Sequence, residues 1–265
     1  MKISTVLTSS TLDLMYIDFI PNFINHWKFL FPKIDIKIIL IANHIPDSHV
    51  QYKDNIILFN HIPNISPAFQ AMCIRLLYPA LMNVSGGVLI TDIDMMPMNR
   101  KYYTNSIKDF DNSKFVTYRD ILVNKKQYAM CYSVATPTVW SAIFNIKSID
   151  NIITTLKDWY SKNNYMKNGI NNYDQRILYD KTQEFNKETG NLIVLNDNIT
   201  GYYRLDRLST NFKSHVYIGN LFDGNSIVKT DDIVNLKFHD YHALRPYKKY
   251  KLYNDIILNM LIKSL

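Results

Sequence analysis

Apolar residues in the first hundred positions fall into short unbroken runs, separated by stretches with helical spacing. Ile3 to Leu7 reads as a strand, closed by a polar turn at Thr8-Ser9-Ser10-Thr11. Leu14, Ile17, Phe19, Ile20, Phe23, Ile24 and Trp27 recur at helical spacing over Leu14 to Leu30, despite Pro21. Ile34 to Ile41 is a second strand and Asn55 to Phe59 a third. Ser66-Pro67 opens a helix with a capping residue and a first-turn proline, and Phe69, Met72, Cys73, Leu76, Leu77 and Leu81 form its apolar face. Val88-Leu89-Ile90 then shows no alternation, the pattern of a central strand buried on both faces. Strand and helix alternate throughout, which predicts an α/β fold with a parallel sheet and helices on both faces.

The second half is more mixed. Lys114 to Tyr118, Tyr128 to Ala135 and Leu192 to Leu195 read as strands. Pro137 to Phe144, Ile149 to Lys162, Asp174 to Lys181 and Leu252 to Ile262 read as helices. Neither a repeat nor a linker-like stretch interrupts the chain, so one domain over residues 1–265 is expected.

Composition narrows the class. The 265 residues are 47% hydrophobic, enough for a core and against disorder. The best membrane candidate, Ile34 to Ala42, is short and broken by Asp35 and Lys37, so no membrane span is expected. The Met1 to Leu7 run is too short for a signal sequence, and a cytoplasmic location follows as an expectation. Cys73 and Cys131 lie in apolar surroundings and read as buried thiols rather than a disulfide, and they lack any zinc-type spacing. A net charge of +7 permits an anionic partner, but apart from Arg245 to Lys251 the basic residues are scattered.

The chemistry concentrates at Gly86 to Asp94, where the central strand ends in Asp92 and Asp94 with one residue between them. Ligands bind at that end of strands in open α/β sheets. Two carboxylates so close repel unless a positive group lies between them, and a divalent metal carrying a diphosphate is the natural candidate. The plain alternative is a solvated strand end with turn-forming aspartates. Three further islands weigh against it. Arg75 is a lone arginine on the apolar helix before this strand, either snorkelling or reaching the sheet edge. Asp174 and Gln175 stand at a helix start, where Asp174 is a cap or a substrate contact. His239, after a short apolar strand, is a suitable third ligand beside carboxylates for manganese.

In order and spacing these islands resemble the family 8 retaining glycosyltransferases of the A-type fold, such as glycogenin and bacterial galactosyltransferases. That family pairs an Arg-Leu-x-x-Pro helix with a strand ending in Asp-x-Asp, then an Asp-Gln helix start and a closing His-Phe-x-Gly-x-x-Lys-Pro-Trp segment. Arg75-Leu76-Leu77-Tyr78-Pro79, Asp92-Ile93-Asp94 and Asp174-Gln175 match in the same order, and His239 precedes Pro246 by the family interval. Arg245 falls at the family's lysine, Tyr247 at its tryptophan and His242 at its glycine; Tyr132-Ser133-Val134-Ala135 is the nearest match to its Asn-x-Gly-Val acceptor strand. The resemblance spans Lys2 to Tyr247.

It implies a GT-A, Rossmann-like fold with a mixed, mostly parallel central sheet and helices on both faces. Residues 1–100 would be the nucleotide-binding half, and residues 101–265 the acceptor-side half with a closing helix. The implied activity is metal-dependent transfer of a sugar, with retention, from a nucleoside-diphosphate sugar, expected to be UDP-linked. The acceptor would be a hydroxyl of a glycan, protein or lipid-linked molecule. Asp92, Asp94 and His239 would hold Mn2+ or Mg2+, and Arg245 would add a fixed positive charge at the leaving diphosphate. Thr8 and Ser9 would line the nucleoside pocket, with Tyr16 a stacking candidate. Arg75 would bind sugar hydroxyls or phosphate, and Asp174 and Gln175 would face the sugar opposite the leaving group.

Other classes fit less well. A haloacid-dehalogenase-type phosphatase also uses a strand ending in Asp-x-Asp, and Asp231-Asp232 mimics its later acidic pair. It would, however, carry Thr or Val two residues after Asp94, where Met96 stands. A nucleotidyltransferase needs a glycine-rich basic loop after the first strand, and Thr8-Ser9-Ser10-Thr11 is not one. A non-enzymatic nucleic-acid or anionic-surface module rests on the Arg245 to Lys251 cluster alone, so no nucleic-acid partner is expected. Trp140 and Trp159 read as core residues. Tyr202 to Arg207 reads equally as an acceptor-cleft wall or a solvated loop.

Overall fold

Strand β1 runs over Ile3–Thr11, straight through the four polar residues where a turn is expected. A parallel partner pairs with it as far as Thr11↔Ile41, and its hydroxyls find acceptors inside the protein. Thr8 Oγ1 donates to the Thr91 carbonyl (2.9 Å) and Ser9 Oγ to that of Ala71 (2.5 Å), which lets polar side chains stay in a buried strand. The other strands in chain order are β2 (Asp35–Ile41), β3 (Ile56–Phe59), β4 (Gly87–Ile90), β5 (Met95–Pro97) and β6 (Phe115–Thr117). They continue as β7 (Ser133–Ala135), β8 (Leu192–Val194), β9 (Arg204–Asp206), β10 (His215–Tyr217) and β11 (Asp240–His242).

The main helices are α1 (Ile20–Leu30), α2 (Pro67–Leu77), α3 (Arg100–Asn105) and α4 (Pro137–Phe144). They are followed by α5 (Ile149–Lys162), α6 (Tyr173–Thr189) and α7 (Lys251–Ser264). Pro21 explains why α1 begins at Ile20 instead of Leu14, since proline fits only the first turn. Pro79 likewise ends α2 in a 3-10 turn over Tyr78–Leu81. Helix α6 runs past Lys181 to Gly190, whose φ of +68° supplies the left-handed C-terminal residue.

This computed structural model describes residues 1–162, 172–209, 212–222 and 230–264. They form two units interleaved along the chain. The first comprises Met1–Leu12, Ile34–Asp92 and Ile107–Asn196; the second comprises Asp13–Lys33, Ile93–Ser106 and Asp197–Leu265.

The first unit holds a seven-stranded sheet in the order β3-β2-β1-β4-β7-β6-β8. Strands β3, β2, β1 and β4 are parallel, β7 is antiparallel to both neighbours, and β6 pairs parallel with β8. This is the expected mixed, mostly parallel sheet flanked by helices. Leu7, Ile39, Ile41, Val88 and Ile90 point into one core with Phe69, Ile74 and Leu77 of α2. Val6, Ile38, Leu40, Leu89 and Val134 are buried on the other face, which accounts for the missing alternation. The Trp140 indole N–H donates to the Val88 carbonyl (3.2 Å), and its ring meets Phe115 edge-on at 5.0 Å. Cys73 and Cys131 are buried free thiols.

The second unit holds a four-stranded sheet, β10-β9-β11-β5, in which β11 runs antiparallel to β5 and parallel to β9. Each strand is three residues long, too short for a readable period. Helix α1 packs on β5, and its Trp27 stacks on Phe31 (5.3 Å) and meets Tyr103 edge-on (5.5 Å). Among the described residues no helix is long and apolar enough to cross a membrane.

Trp140 joins α4 to the strand that ends at the Asp-x-Asp motif, and it is fully buried. Trp140→Ala is expected to lower unfolding free energy by about 3–5 kcal/mol in urea titration. Trp140→Phe keeps the ring, loses the N–H, and is expected to lose only about 1–3 kcal/mol.

Candidate active site

In the first unit, Arg75 gathers residues far apart in the chain. It sits in the last turn of α2, is only 7% exposed, and does not snorkel to solvent. Its Nη1 donates to the Thr91 carbonyl (3.1 Å) and to the Asp92 carboxylate, while Nη2 lies 3.4 Å from Asp174 Oδ2. The guanidinium fork thus meets the end of β4 and the start of α6 at once, which a point-charge lysine does poorly.

Asp174 is fully buried. Burial pushes its carboxyl from 3.8 up to about 6; Arg75 opposes that rise and the nearby Asp92 charge adds to it. One guanidinium between two carboxylates leaves the cluster with surplus negative charge. Beside it, the Gln175 N–H donates to Asp174 Oδ1 (2.9 Å), and Gln175 Oε1 is buried with no hydrogen-bond partner among the described residues. A buried carbonyl oxygen without a donor is a place for a ligand hydroxyl. Thr8 and Ser9 lie in the same unit, their hydroxyls donating to the internal carbonyls of Thr91 and Ala71.

The second unit carries the other aspartate of the motif. Asp94 is 3% exposed, and Arg207 Nη1 donates to its Oδ2 and to the Ala243 carbonyl (3.1 Å). Arg245 Nη1 stands 3.6 Å and His242 Nε2 3.7 Å from the same Oδ2. Burial alone would raise the Asp94 carboxyl, but His242, Arg207 and Arg245 outweigh it and hold the group below its ordinary value. Arg245 also lies over the Tyr16 ring at 5.1 Å and donates to its hydroxyl. Asp206, at the end of β9, accepts from Nδ1 of His215 (2.8 Å) and of His242 (3.2 Å). Burial works against the Asp206 charge, yet these bonds keep its carboxyl well below the usual range.

The structure does not bring the His239 imidazole to Asp94. The antiparallel ladder sets Asp94 opposite Ala243 (2.8 Å) and Met98 opposite His239 (2.9 Å). Four residues of strand separate the two, about 13 Å at about 3.3 Å per residue. His239 Nδ1 accepts the Tyr203 N–H (2.9 Å), and its ring lies 4.5 Å from Tyr102 and 5.8 Å from Tyr202. Burial lowers its pKa, so the ring is held neutral with its proton on Nε2, and neither nitrogen offers a lone pair. The imidazole beside Asp94 is His242, at the position matching the family's glycine.

Among the described residues no cluster of three or more His, Cys, Asp or Glu side chains is placed to hold a metal ion. Asp94 and His242 bring one carboxylate and one imidazole within 3.7 Å of each other, beside the Arg207 and Arg245 guanidinium groups. Asp206 accepts a hydrogen bond from His242 Nδ1 and so sets the ring with Nε2 facing Asp94. Magnesium-type ions commonly take few protein ligands and complete their shell with water and phosphate oxygens.

Arg207, Asp206 and His242 are the groups that sequence reasoning missed. The Tyr202 to Arg207 stretch held the signal, since Arg204 and Asp206 alternate as in a strand; both are buried in β9, with Arg204 Nε donating to Asp240 (2.9 Å). Asp231 and Asp232 lie on a short helical turn, where Asp232 pairs with Lys237.

No family model matches the sequence, and no curated protein sequence does either. Solved structures do. The galactosyltransferase LgtC, in complex with donor and acceptor sugar analogs, matches with a TM-score of 0.51 at 13% identity, over 98% of this chain and 96% of that one. An active-site mutant of LgtC gives 0.51 at 12%, over 97% and 94%. The apo-form glycosyltransferase GlyE of Streptococcus pneumoniae gives 0.49 at 13%, over 100% of this chain and 64% of that one. At such identities the likeness to LgtC is one of fold, and it is the GT-A, Rossmann-like fold expected from the sequence.

Asp174 yields a stability prediction with a definite sign. Its folded pKa, about 6, lies above the 3.8 of an unperturbed carboxyl, so its share of stability is full below pH 3.8 and is lost as pH rises through 6. Asp174→Asn removes that loss. Its stability relative to wild type is expected to rise by up to about 3 kcal/mol between about pH 4 and pH 8 in urea titrations.

Proposed function

We propose that this chain is a glycosyltransferase that moves a sugar from a nucleoside-diphosphate sugar, UDP-linked by the family resemblance, to a hydroxyl of a glycan or other acceptor. The observation that carries the reading is the buried Arg75, which holds the carboxylates of Asp92 and Asp174 at the end of β4. A fold made only for stability gains little from an uncompensated buried carboxylate, and such groups cluster at functional sites. Residues 1–265 would serve this one activity.

The two motif aspartates would take different parts. The Asp174 set has surplus negative charge and an unpartnered Gln175 oxygen, so it suits the hydroxyl donors of a sugar. Asp174 and Gln175 would face the anomeric carbon opposite the leaving group, consistent with retention. The Asp94 set brings the Arg207 and Arg245 guanidinium groups to one carboxylate and suits a diphosphate. Arg245, with its side chain 33% exposed, is the cation open to a ligand there, while Arg207 is held by Asp94 and Ala243. Asp94 and His242 would hold Mn2+ or Mg2+, and when bound that ion supplies Lewis-acid stabilisation of the departing diphosphate. Asp206 sets the His242 ring with Nε2 facing Asp94, and His239 instead braces Tyr102 and Tyr203. Of the expected nucleoside contacts, Thr8 and Ser9 have their hydroxyls committed to internal carbonyls, and Tyr16 lies under Arg245.

Mn2+ binding followed by electron paramagnetic resonance is expected to weaken in Asp94→Asn and His242→Ala and to stay unchanged in His239→Gln. In a thermal-shift panel of nucleotide sugars, a donor at a hundred times its dissociation constant adds about 2.7 kcal/mol. Arg245→Ala is expected to slow hydrolysis of that donor about a hundredfold, roughly 3 kcal/mol of transition-state stabilisation. A protein that binds and hydrolyses none of the common UDP- and GDP-sugars, with or without Mn2+, is not this enzyme.

A further inference from the structure

Helix α6 continues beyond the candidate site with a patterned face. Gln175, Tyr179, Gln183 and Asn186 follow at helical intervals of four, four and three residues, one stripe about 16 Å long. The last three line an open cleft of ≈ 930 Å³ in the first unit, bordered also by Tyr128, Asp120 and Asn196. This volume lies near the top of the range for small-molecule sites, about 300–1,000 Å³. Gln183 Nε2 donates to the Tyr128 hydroxyl (2.8 Å), Asn196 Nδ2 to Asp120 (2.5 Å), and the Tyr128 and Tyr179 rings lie 5.0 Å apart at 46°. The Tyr128 N–H also donates to the Gln175 carbonyl (3.2 Å), tying the cleft wall to the residue after Asp174.

The lining selects its ligand by chemistry. Among the described residues neither lysine nor arginine lines it, so a phosphate or nucleotide would lose its hydration without gaining a counter-charge. Side-chain amides and one carboxylate instead present donors and acceptors side by side, which matches neighbouring hydroxyl groups. The half-buried Tyr179 ring supplies flat apolar surface with a polar tip, alongside Ile121, Val123, Leu192 and Val194, while Tyr128 is buried beside it. A molecule with hydroxyl edges and C–H faces, uncharged and longer than one ring, satisfies all three.

We infer that this cleft is a subsite for a neutral oligosaccharide, which grips the acceptor chain beyond the sugar that reacts. Its role as an acceptor site rests on the transferase reading; glycan binding by itself does not. The test is saturation-transfer NMR of the full chain with maltotetraose, chitotetraose, xylotetraose and lacto-N-tetraose. At least one is expected to bind. Gln183→Ala and Tyr179→Ala are expected to weaken it about five- to tenfold each while donor hydrolysis stays at the wild-type rate. If Tyr179→Ala fails to fold, Gln183→Ala decides alone. Binding of none of the four, or binding that both variants leave intact, overturns the subsite. Glycan binding by a wild type that turns over no nucleotide sugar would instead remove the transferase reading and leave the subsite standing.

Discussion

A single buried guanidinium organises the charged cluster of the first unit. Arg75 must satisfy two carboxylates that arrive from opposite directions, one at a strand end and one at a helix start. Removing it would leave the Asp174 anion buried without compensation, a loss of several kcal/mol by the usual measure of broken buried pairs. Even with it in place the balance is negative, and Asp174 responds by titrating near 6. The cluster is therefore stable enough to form but electrostatically unfinished, the condition under which a ligand gains most by completing it.

The second unit shows the reverse balance. Asp94, one spacer residue from Asp92 in sequence, is crowded by Arg207, Arg245 and His242 and is held firmly ionised. Asp206 extends this set outward by accepting hydrogen bonds from both the His215 and His242 rings. Two carboxylates of one short motif thus occupy surroundings of opposite sign.

What could be read from the residues, and what could not, follows from the length of the signals. Helices such as Pro137–Phe144 and Ile149–Lys162 have enough turns for their apolar period and end signals to agree, and their limits match the structure. Strand β4 announced itself because it is buried on both faces. The second sheet was invisible: three residues cannot display an alternation, and its register is set by partners distant in sequence. The Thr8 to Thr11 run reads locally as a turn, and only cross-strand acceptors make it a strand. The placing of the two histidines was hidden for a similar reason. Spacing to Pro246 singles out His239, but the antiparallel register of β11 with β5 brings His242 to Asp94 and turns His239 among tyrosines.

The interleaving of the two units has a bearing on how the chain can be assembled at all. The polypeptide passes from one unit to the other after Leu12, Lys33, Asp92, Ser106 and Asn196, so neither is a continuous length of sequence that a single cut could release. The large sheet stays unfinished on the ribosome until Leu192–Val194 has been made and has zipped alongside Phe115–Thr117. Until then a row of backbone donors and acceptors and half-built apolar faces is exposed to neighbours. Assembly of the large sheet therefore constrains the nascent chain as well as the finished fold.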